Sequence, residues 1–286
     1  MTLAPSPIVH HPFNFGVGGF NFTGFGLAVL LAFLIAQIVA ERELARRGHD
    51  VEAKAVSDVL FASLLGTIIG AKLYYVTIIT HDWHDLWSRG GFVFWGGFLG
   101  ALVLCALTIR YKKLSFIRFA DVAGIAIAAG YAVGRTGCWA VGDDYGKPYT
   151  GPLAVAFPQG APPSTVLEME RTFHVQFPVG TDPQMVVSVY PTQLLEVILG
   201  LVMFGMLWRM RDHEHAEGWL FGVWCVLAGI ERFIVEFFRA KDDRFGYLFG
   251  LSTAQAIALA IVVAGMAIVV RYSQQQGLTA RASGAG

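Results

Sequence analysis

The stretch "FNFTGFGLAVLLAFLIAQIVA", residues 20–40, is uncharged and largely apolar. About twenty such residues form a helix long enough to cross the hydrocarbon core of a bilayer. The whole chain shares this character, since 55% of its 286 residues are hydrophobic and only 15% are charged. A soluble domain carries a larger charged share. Residues 20–40 therefore predict the first span of a membrane protein.

Six further apolar windows follow, so the sequence predicts an all-α polytopic membrane protein with about seven transmembrane helices. The windows lie at residues 58–79, 91–110, 117–134, 193–208, 217–238 and 248–271. The fourth and fifth spans are short enough to be re-entrant segments. Removing just one of them would place the basic residues after spans 3 and 5 on opposite sides, so the charge bias favours keeping both.

Lysine and arginine gather in alternate connections and after the last span. They are Arg42, Arg46, Arg47, Lys54, Arg110, Lys112, Lys113, Arg118, Arg209, Arg211, Arg271 and Arg281. By the positive-inside rule these residues face the cytoplasm. The N-terminus then lies outside, as does the segment 135–192, which we expect to form a small extracytoplasmic cap with short strands.

The predicted organisation is one membrane-embedded domain, residues 1–272, followed by a disordered cytoplasmic tail at 273–286. Residues 1–22 contain no Lys or Arg, so we expect a mature extracytoplasmic N-terminus and no signal peptide. The close glycines in "GTIIGAKLYY" (66–75) and "GFVFWGGFLGA" (91–101) are typical of transmembrane helix packing, which we favour over a ligand role.

Charge and cysteine content exclude several classes of function. The net charge is zero and no basic tract suits nucleic acid, so no nucleic-acid partner is expected. The three cysteines, Cys105, Cys138 and Cys225, are far apart in sequence, which favours neither a disulfide framework nor a zinc site. We expect no metal and no cofactor.

Six charged residues lie within or at the edge of apolar spans, where each unpaired charge costs roughly 2.5–3.5 kcal/mol at the bilayer centre. They are Lys72, Glu196, Glu231, Arg232, Glu236 and Arg239. Helical spacing places Arg232, Glu236 and Arg239 on one stripe. It also places Gln193 on the same helix face as Glu196.

Two interpretations of these charges are open. In the first they form interhelical ion pairs, with Glu236 between two arginines and Glu196 paired with Lys72 or an arginine. In the second they form an anion site, where guanidinium groups and the backbone N–H groups of a glycine-rich turn hold a phosphate.

The segment "VGRTGCWAVGDDYG", residues 133–146, is the candidate for that turn. Arg135 opens the predicted external segment and Arg239 closes span 6, so both arrive at the same membrane face. The neighbouring "GDDYGK" lacks the G-x-x-x-x-G-K-[ST] spacing of a P-loop and lies on the side away from nucleotides. The sequence thus predicts one wall of a phosphate-headgroup site.

Three blocks in this order, "GRTGCWAVGDDYG" (134–146), "YPTQLLE" (190–196) and "ERFIVEFFRAKDD" (231–243), resemble the prolipoprotein diacylglyceryl transferase family. Weaker similarities are "IGAKLYYV", "FVFWGGFLG" and "PLAVAFPQGAPPST", which extend the likeness over most of residues 24–255. The resemblance implies a multi-pass enzyme of the bacterial inner membrane. Its partners would be phosphatidylglycerol, preprolipoprotein signal peptides with a lipobox cysteine, and membrane lipids.

The resemblance also implies roles for individual residues. Arg135, Arg239, Arg232 and Glu236 would be catalytic, with the first two holding the phosphate and the other two bracing or joining them. The substrate-binding residues would be Asp143, Gly142, Gly146, Glu196, Gln193, Tyr190, Trp95 and Lys72. The lipobox thiol must lose its proton to attack carbon, and the departing phosphate gains charge that arginines stabilise.

Several positions depart from the family's pattern. Trp95 and Tyr190 stand where the family often has histidine, Phe25 stands for a tyrosine, and Lys72 replaces an arginine. Cys138 occupies a position where Asn is common, and Asp143 one where Glu is usual. A tryptophan donates one N–H but accepts no proton. If the family's histidine is the base of the thiol, that role is vacant here.

Substitutes for that base are Glu196 and the loop histidines His81, His84 and His174, with Tyr190 as a hydrogen-bond donor. The departures leave two hypotheses, an active transferase and a non-catalytic relative that binds phospholipid or lipoprotein. A small-solute transporter would predict inverted repeats or paired broken helices, and the sequence contains neither.

Overall fold

The computed structural model describes residues 8–17, 20–88, 91, 93–240, 247–248 and 250–283, and the chain within those ranges is mostly helical. The helices are α1 (Gly24–Arg46), α2 (Asp50–Tyr74), α3 (Phe94–Tyr111), α4 (Phe116–Val141), α5 (Val166–Phe173), α6 (Thr192–Met210), α7 (Trp219–Val235) and α8 (Thr253–Ser283). A π-helical segment, Tyr75–Thr80, continues α2, and a 3₁₀ helix follows at Trp83–Trp87.

Short strands accompany the helices. They are β1 (Ile8–Val9), β2 (Asn14–Val17), β3 (Phe20–Thr23), β4 (Val155–Ala156), β5 (Ser188–Val189), β6 (Tyr247–Leu248) and β7 (Leu251–Ser252). Strand β4 is central in a small sheet, parallel to β1 and antiparallel to β5. The hairpins β2–β3 and β6–β7 are antiparallel.

Five helical stretches of the described chain are long and apolar enough to cross a membrane. They are Gly24–Arg46, Asp50–Thr80, Phe116–Val141, Thr192–Met210 and Thr253–Ser273. Helix α3 has a shorter apolar stretch, Trp95–Tyr111, and α7 has 17 residues. Each of the seven predicted windows overlaps one helix, α1 to α4 or α6 to α8. The protein is a multi-pass membrane protein, while the count of seven spans stays a prediction.

The chain divides into two compact units, and the predicted extent of a single domain, residues 1–272, stays a prediction. The first unit comprises Met1–Ala36 and Gly124–Gly286, and the second comprises Gln37–Ala123. The second unit is described first, because its features concern packing and charge pairing.

Helices α2 and α3 of the second unit pack backbone against backbone through glycines. A Cβ added at Gly70 would meet the carbonyl oxygen of Gly96, and one added at Gly100 would meet the carbonyl oxygen of Gly66. Any larger side chain would separate the two helices, which is the role of small residues in membrane helix packing. The packing interpretation of these glycines is confirmed.

Several of the predicted cytoplasmic basic residues of the second unit pair with acidic residues. Arg47 lies 2.8 Å from Glu43 and 2.7 Å from Asp121, and Arg118 lies 2.9 Å from Glu52. The Asp121 side chain is fully buried, so its charge depends on Arg47 for compensation. These pairs fix helix ends within the unit.

In the first unit, α4 runs to Val141, so the segment predicted to leave the membrane at residue 135 is helical for two more turns. The helix continues through Trp139 and Ala140 and ends before Gly142, whose φ is +71°. The short strands expected in this segment are present as β4 and β5. Tyr145 and Phe157 stack in its core, with ring centroids 5.4 Å apart.

The C-terminal end of the described chain is helical, while a disordered cytoplasmic tail at 273–286 stays a prediction. Helix α8 continues past residue 273 as far as Ser283, and residues 284–286 lie outside the described residues. The added turns contain Gln, Leu, Ala and Arg, which are good helix formers and extend a helix that is already nucleated.

Candidate active site

The glycine turn after α4 sets two carboxylates side by side. The backbone N–H groups of Gly142 and Asp143 both donate to the Cys138 carbonyl, at 2.9 and 3.1 Å, which closes the helix end. Asp144 follows with a φ of +54°, a conformation in which Asp is one of the tolerated residues. Successive residues of the turn therefore direct their carboxylates differently.

The first turn of α6 holds this turn in place. Gln193 donates its side-chain N–H to the backbone carbonyl of Asp143 at 2.5 Å, and Thr192 donates its hydroxyl to the carbonyl of Asp144 at 2.7 Å. Both carbonyls belong to a turn with no helical partner, so these bonds satisfy groups that would otherwise be left unpaired. Gln193 thus positions Asp143 through the backbone.

Arg135, Arg239, Asp144 and Glu196 form a closed ring of alternating charges. Asp144 lies 2.8 Å from each guanidinium, with one carboxylate oxygen toward Arg135 and the other toward Arg239. Glu196 Oε1 lies 3.0 Å from Arg135 and 3.6 Å from Arg239. The Glu196 side chain is 0% exposed and its charge is compensated within the ring. Arg135 and Arg239 therefore meet, as predicted.

Burial of Asp144 would raise its pKa, but Arg239 and Arg135 outweigh burial and hold the pKa of this carboxyl below its ordinary value. Asp143 shows the opposite balance. Its burial, together with the negative charge of Asp144, raises its pKa against the opposing effects of the Cys138 thiol and the two arginines. Two adjacent carboxylates thus differ in basicity.

Backbone pairing, and not helix α7, places Arg239. Helix α7 ends at Val235, and residue 239 forms an isolated antiparallel bridge with Gly146. Lys147 donates its N–H to the Phe238 carbonyl at 2.9 Å, and Gly146 donates to the Tyr190 carbonyl at 2.9 Å. The predicted stripe holds for Arg232 and Glu236, since the Glu236 N–H donates to the Arg232 carbonyl at 3.2 Å and the two side chains pair at i,i+4. It is wrong for Arg239, which lies beyond the end of α7.

Arg232 and Glu236 form their own pair, 2.8 Å apart, and Ser252 donates its hydroxyl to Glu236 at 3.1 Å. The Arg232 side chain is 35% exposed, against 18% for Arg135 and 20% for Arg239. Glu196, for which Lys72 or an arginine was expected, pairs with the two arginines of the ring.

Three residues of this site, Tyr131, Glu231 and Asp144, were not assigned as ligands or braces from the sequence. Tyr131 donates its hydroxyl to Glu231 at 2.9 Å, and lies 3.4 Å from Glu196. The Arg135 guanidinium carbon lies 5.3 Å from the centre of the Tyr131 ring. Tyr131 precedes Arg135 by four residues on α4, a spacing that could have identified it. Asp144, the third residue, is hidden in sequence by its neighbour Asp143.

The other predicted site residues are placed as follows. The Tyr190 ring stacks on Tyr149 with centroids 3.9 Å apart, while its backbone joins the Gly146 junction. Phe25 packs against Gly137, and its side chain is partly exposed. Trp95 and Lys72 belong to the second unit. Trp95 is half-exposed at the start of α3 and Lys72 donates to the Ser88 carbonyl at 2.6 Å.

Three buried oxygen atoms of the site have no hydrogen-bond partner among the described residues: Asp143 Oδ1, Gln193 Oε1 and Glu196 Oε2. Gln193 uses its amide nitrogen on the Asp143 carbonyl, so its free atom is an acceptor. The site thus combines guanidinium donors, which suit a phosphate, with acceptors that suit a hydroxyl or thiol donor.

One carboxylate oxygen each of Asp143 and Asp144 lies within 4.8 Å of the Cys138 Sγ and of the other. This grouping also contains Arg135, which donates to Cys138 Sγ at 3.5 Å and to Asp144. A guanidinium at hydrogen-bond distance opposes a bound cation electrostatically, so we assign no metal to this group.

Comparison with known proteins agrees with the three sequence blocks. The family model described as prolipoprotein diacylglyceryl transferase matches residues 12–271. The chain belongs to the prolipoprotein diacylglyceryl transferase family. Both compact units contribute to the match, and so do all four residues of the charged ring.

Individual relatives cover nearly the whole chain. A protein of Geobacter sulfurreducens is 29% identical over 275 residues, 93% of this chain and 96% of its own. One of Xanthomonas oryzae pv. oryzae is 30% identical over 270 residues, 90% of each chain, and one of Stenotrophomonas maltophilia is 29% identical over 270 residues. All three are named phosphatidylglycerol–prolipoprotein diacylglyceryl transferase.

Proposed function

We propose that this membrane protein transfers the diacylglyceryl group of phosphatidylglycerol to the lipobox cysteine of preprolipoproteins. The product is a thioether and the leaving group is glycerol phosphate. The observation that carries the proposal is the ring of Arg135, Arg239, Asp144 and Glu196 in a chain of this family. The names of its relatives supply the two substrates.

In the proposed reaction the thiolate sulfur attacks the terminal glyceryl carbon, and the bond from that carbon to the phosphate oxygen breaks. Negative charge then accumulates on the departing phosphate. Fixed guanidinium groups stabilise such charge without having to reorganise, which is the usual way that polar sites lower a barrier of this kind. Arg135, Arg239, Arg232 and Glu236 are the proposed catalytic residues.

The ring indicates how a phosphate enters. Asp144 and Glu196 neutralise Arg135 and Arg239 within it, but the two carboxylates differ in exposure. The Asp144 side chain is 39% exposed and that of Glu196 is 0% exposed. A phosphate can thus take over the guanidinium bonds of Asp144, while Glu196 continues to orient both arginines.

Arg232 is the third proposed phosphate ligand. Its guanidinium is the most exposed of the three and pairs with Glu236 at 2.8 Å. The neighbouring Glu231 lies within electrostatic range of Arg135, Arg232 and Arg239, which supports the proposal that the three cations serve one site. Glu236 then braces Arg232, as the sequence comparison implied.

The other residues proposed to bind substrate are Asp143, Gly142, Gly146, Glu196, Gln193 and Tyr190 in the first unit, and Trp95 and Lys72 in the second unit. Gly142 and Gly146 shape the backbone of the turn, and Gln193 holds the Asp143 carbonyl. Lys72 binds backbone carbonyls beside Ser88, so its contribution is to order that segment.

We propose seven spans in the inner membrane, with the N-terminus and the cap at 135–192 outside and the C-terminus in the cytoplasm. The alternating Lys and Arg content of the connections supports this orientation. The charged ring at the C-terminal end of α4 then faces the outer leaflet, where preprolipoproteins emerge. Reporter fusions after residues 150 and 212 test the orientation, since the two fusions should report opposite sides.

Purified protein in detergent with phosphatidylglycerol and a lipobox peptide tests the function directly. The expected product is a peptide whose mass increases by one diacylglyceryl group and whose linkage resists mild base under conditions that release thioesters. Complementation of a strain depleted of its own transferase provides the cellular test. Binding of phosphatidylglycerol without transfer would instead identify a non-catalytic relative.

A further inference from the structure

The proposed reaction needs a group that removes the proton of the lipobox thiol, because the thiolate is the nucleophile. Trp95, which stands where the resembled family often has histidine, cannot accept a proton. The histidines considered as substitutes lie outside the glycine turn, since His174 ends helix α5 in a left-handed conformation and His81 and His84 lie at the π-helical and 3₁₀ segments after α2. Glu196 also has an oxygen, Oε2, without a partner among the described residues, but its side chain is completely buried and its Oε1 is shared by two arginines.

Asp143 has a free oxygen in the right surroundings. Its carboxyl already contacts a thiol, that of Cys138, while Oδ1 has no partner among the described residues. Its backbone is fixed on both sides, by the N–H bond to Cys138 and by the carbonyl bond from Gln193. The side chain is partly buried and lies within electrostatic range of Arg135 and Arg239, the proposed phosphate ligands.

We infer that the carboxylate of Asp143 accepts the proton of the incoming lipobox thiol. This inference rests on the proposed transferase function. The S–H bond breaks, its proton goes to Asp143 and its electron pair stays on sulfur. The thiolate forms the C–S bond as the C–O bond to phosphate breaks, and that electron pair leaves with the phosphate oxygen. Asp143 then gives the proton to the departing phosphate, which restores the carboxylate.

The electrostatics of the turn suit this task. Burial and the adjacent charge of Asp144 raise the pKa of Asp143, which makes it a better proton acceptor than an exposed aspartate. The charged and titratable groups facing it are Cys138, Asp144, Arg135 and Arg239. The two arginines oppose the rise in the pKa of Asp143, and their positive charge also stabilises the thiolate that forms.

The test compares Asp143→Asn with wild type on two lipobox peptides, one with cysteine and one with selenocysteine. A selenol ionises more readily than a thiol and needs little help from a base. With the cysteine peptide we expect kcat to fall roughly 100-fold or more, the usual contribution of a general base. With the selenocysteine peptide the fall should be less than about 10-fold, and KM for phosphatidylglycerol should stay unchanged.

Asp143→Glu is the matched variant, because it keeps the carboxylate, and it should retain most of the activity. A wild-type rate that declines at low pH, with no such decline in Asp143→Asn, would support the same role. Equal losses by Asp143→Asn on both peptides would overturn the inference and leave Asp143 a positioning residue. A wild-type protein inactive on both peptides would instead contradict the proposed function.

Discussion

Arg239 donates a hydrogen bond of 2.8 Å to Asp144, which lies 95 residues earlier in the chain. The other oxygen of the Asp144 carboxylate accepts a hydrogen bond from Arg135 at the same distance. One half-exposed carboxylate therefore joins the two arginines that the sequence predicts to hold a phosphate. The anion between the two arginines is a side chain of the protein itself.

Arg135→Lys should reduce transfer at least about 100-fold, because a lysine keeps the charge but cannot bridge Asp144 and Glu196 with a planar fork. Arg135→Ala is a poorer test of the phosphate-binding role. It leaves the buried Glu196 carboxylate without one of its arginine partners, which typically costs about 3–5 kcal/mol. We expect the folded protein to lose about that much stability as well as its activity. Transfer assays alongside thermal unfolding in detergent separate the two effects.

The matched control for Arg135→Lys is Arg171→Lys, whose exposed side chain lies 3.8 Å from Glu168 on α5. A surface pair of this kind contributes little, so activity and unfolding temperature should stay at wild-type values. Near-normal transfer by Arg135→Lys would show that a bidentate guanidinium is not needed at this position.

Asp144→Asn should lower the unfolding temperature at neutral pH, because it removes the charge shared by Arg135 and Arg239. The pKa of Asp144 in the folded protein is held below its ordinary value of 3.8. At a pH above 3.8 the ionised carboxylate therefore stabilises the folded protein. This stabilisation is lost as the pH falls through the lower, folded-state pKa. The difference in unfolding temperature between wild type and variant should thus be constant from about pH 5 to 7 and shrink below about pH 4.

Asp58→Asn serves as the control for this pH series. Asp58 pairs with Lys112 at 2.7 Å, but its side chain is 53% exposed. Solvent screens such a pair, so the control should track wild type throughout. If the difference in unfolding temperature between wild type and Asp144→Asn grew as the pH fell, the assigned direction of the Asp144 pKa shift would be contradicted.

Apolar windows and charge spacing predicted the positions of the long helices and the meeting of Arg135 with Arg239. They could do so because a buried charge is costly in an apolar span and must find a partner. The way Arg239 arrives could not be predicted, since it depends on where α7 ends and on the bridge between residues 146 and 239. Helical periodicity carries no information about a chain that has already left the helix.

The different contacts of the Asp143 and Asp144 carboxylates could not be predicted from the sequence either. Both are acidic residues of one turn, and the family comparison singled out Asp143. The left-handed conformations of Gly142 and Asp144 direct one carboxylate toward Cys138 and the other toward the arginines. Such backbone geometry follows from the tertiary contacts of α6 with the turn, which no local pattern encodes.

Gln193→Leu should destabilise the protein by about 1–3 kcal/mol, because it leaves the Asp143 carbonyl without its donor. The turn then loses the bond that fixes Asp143, and transfer should fall with it. Gln193→Glu keeps the shape but replaces the donor by an acceptor, and should be at least as harmful. Thermal unfolding and transfer rates measured on both variants check this, and wild-type values for Gln193→Leu would refute the positioning role.

Gly146→Ala and Gly134→Ala test the two glycines of the signature against each other. A Cβ at Gly146 would meet the Phe238 carbonyl oxygen, the Tyr190 Cβ at 2.7 Å and the Thr192 Cγ2 at 2.9 Å. Those atoms belong to the backbone junction that places Arg239, so they cannot yield without moving the charged ring. Gly146→Ala should therefore abolish transfer and lower the unfolding temperature.

At Gly134 the nearest atom to an added Cβ, the Ala32 Cβ, lies 3.8 Å away, which is ordinary contact distance. The residue is inside α4, where alanine is favoured over glycine by up to about 1 kcal/mol. Gly134→Ala should thus retain transfer and unfold at the same or a higher temperature. If both variants were equally active, the Gly146 junction would not be what holds Arg239 against Asp144, and the site would have to tolerate a displaced guanidinium.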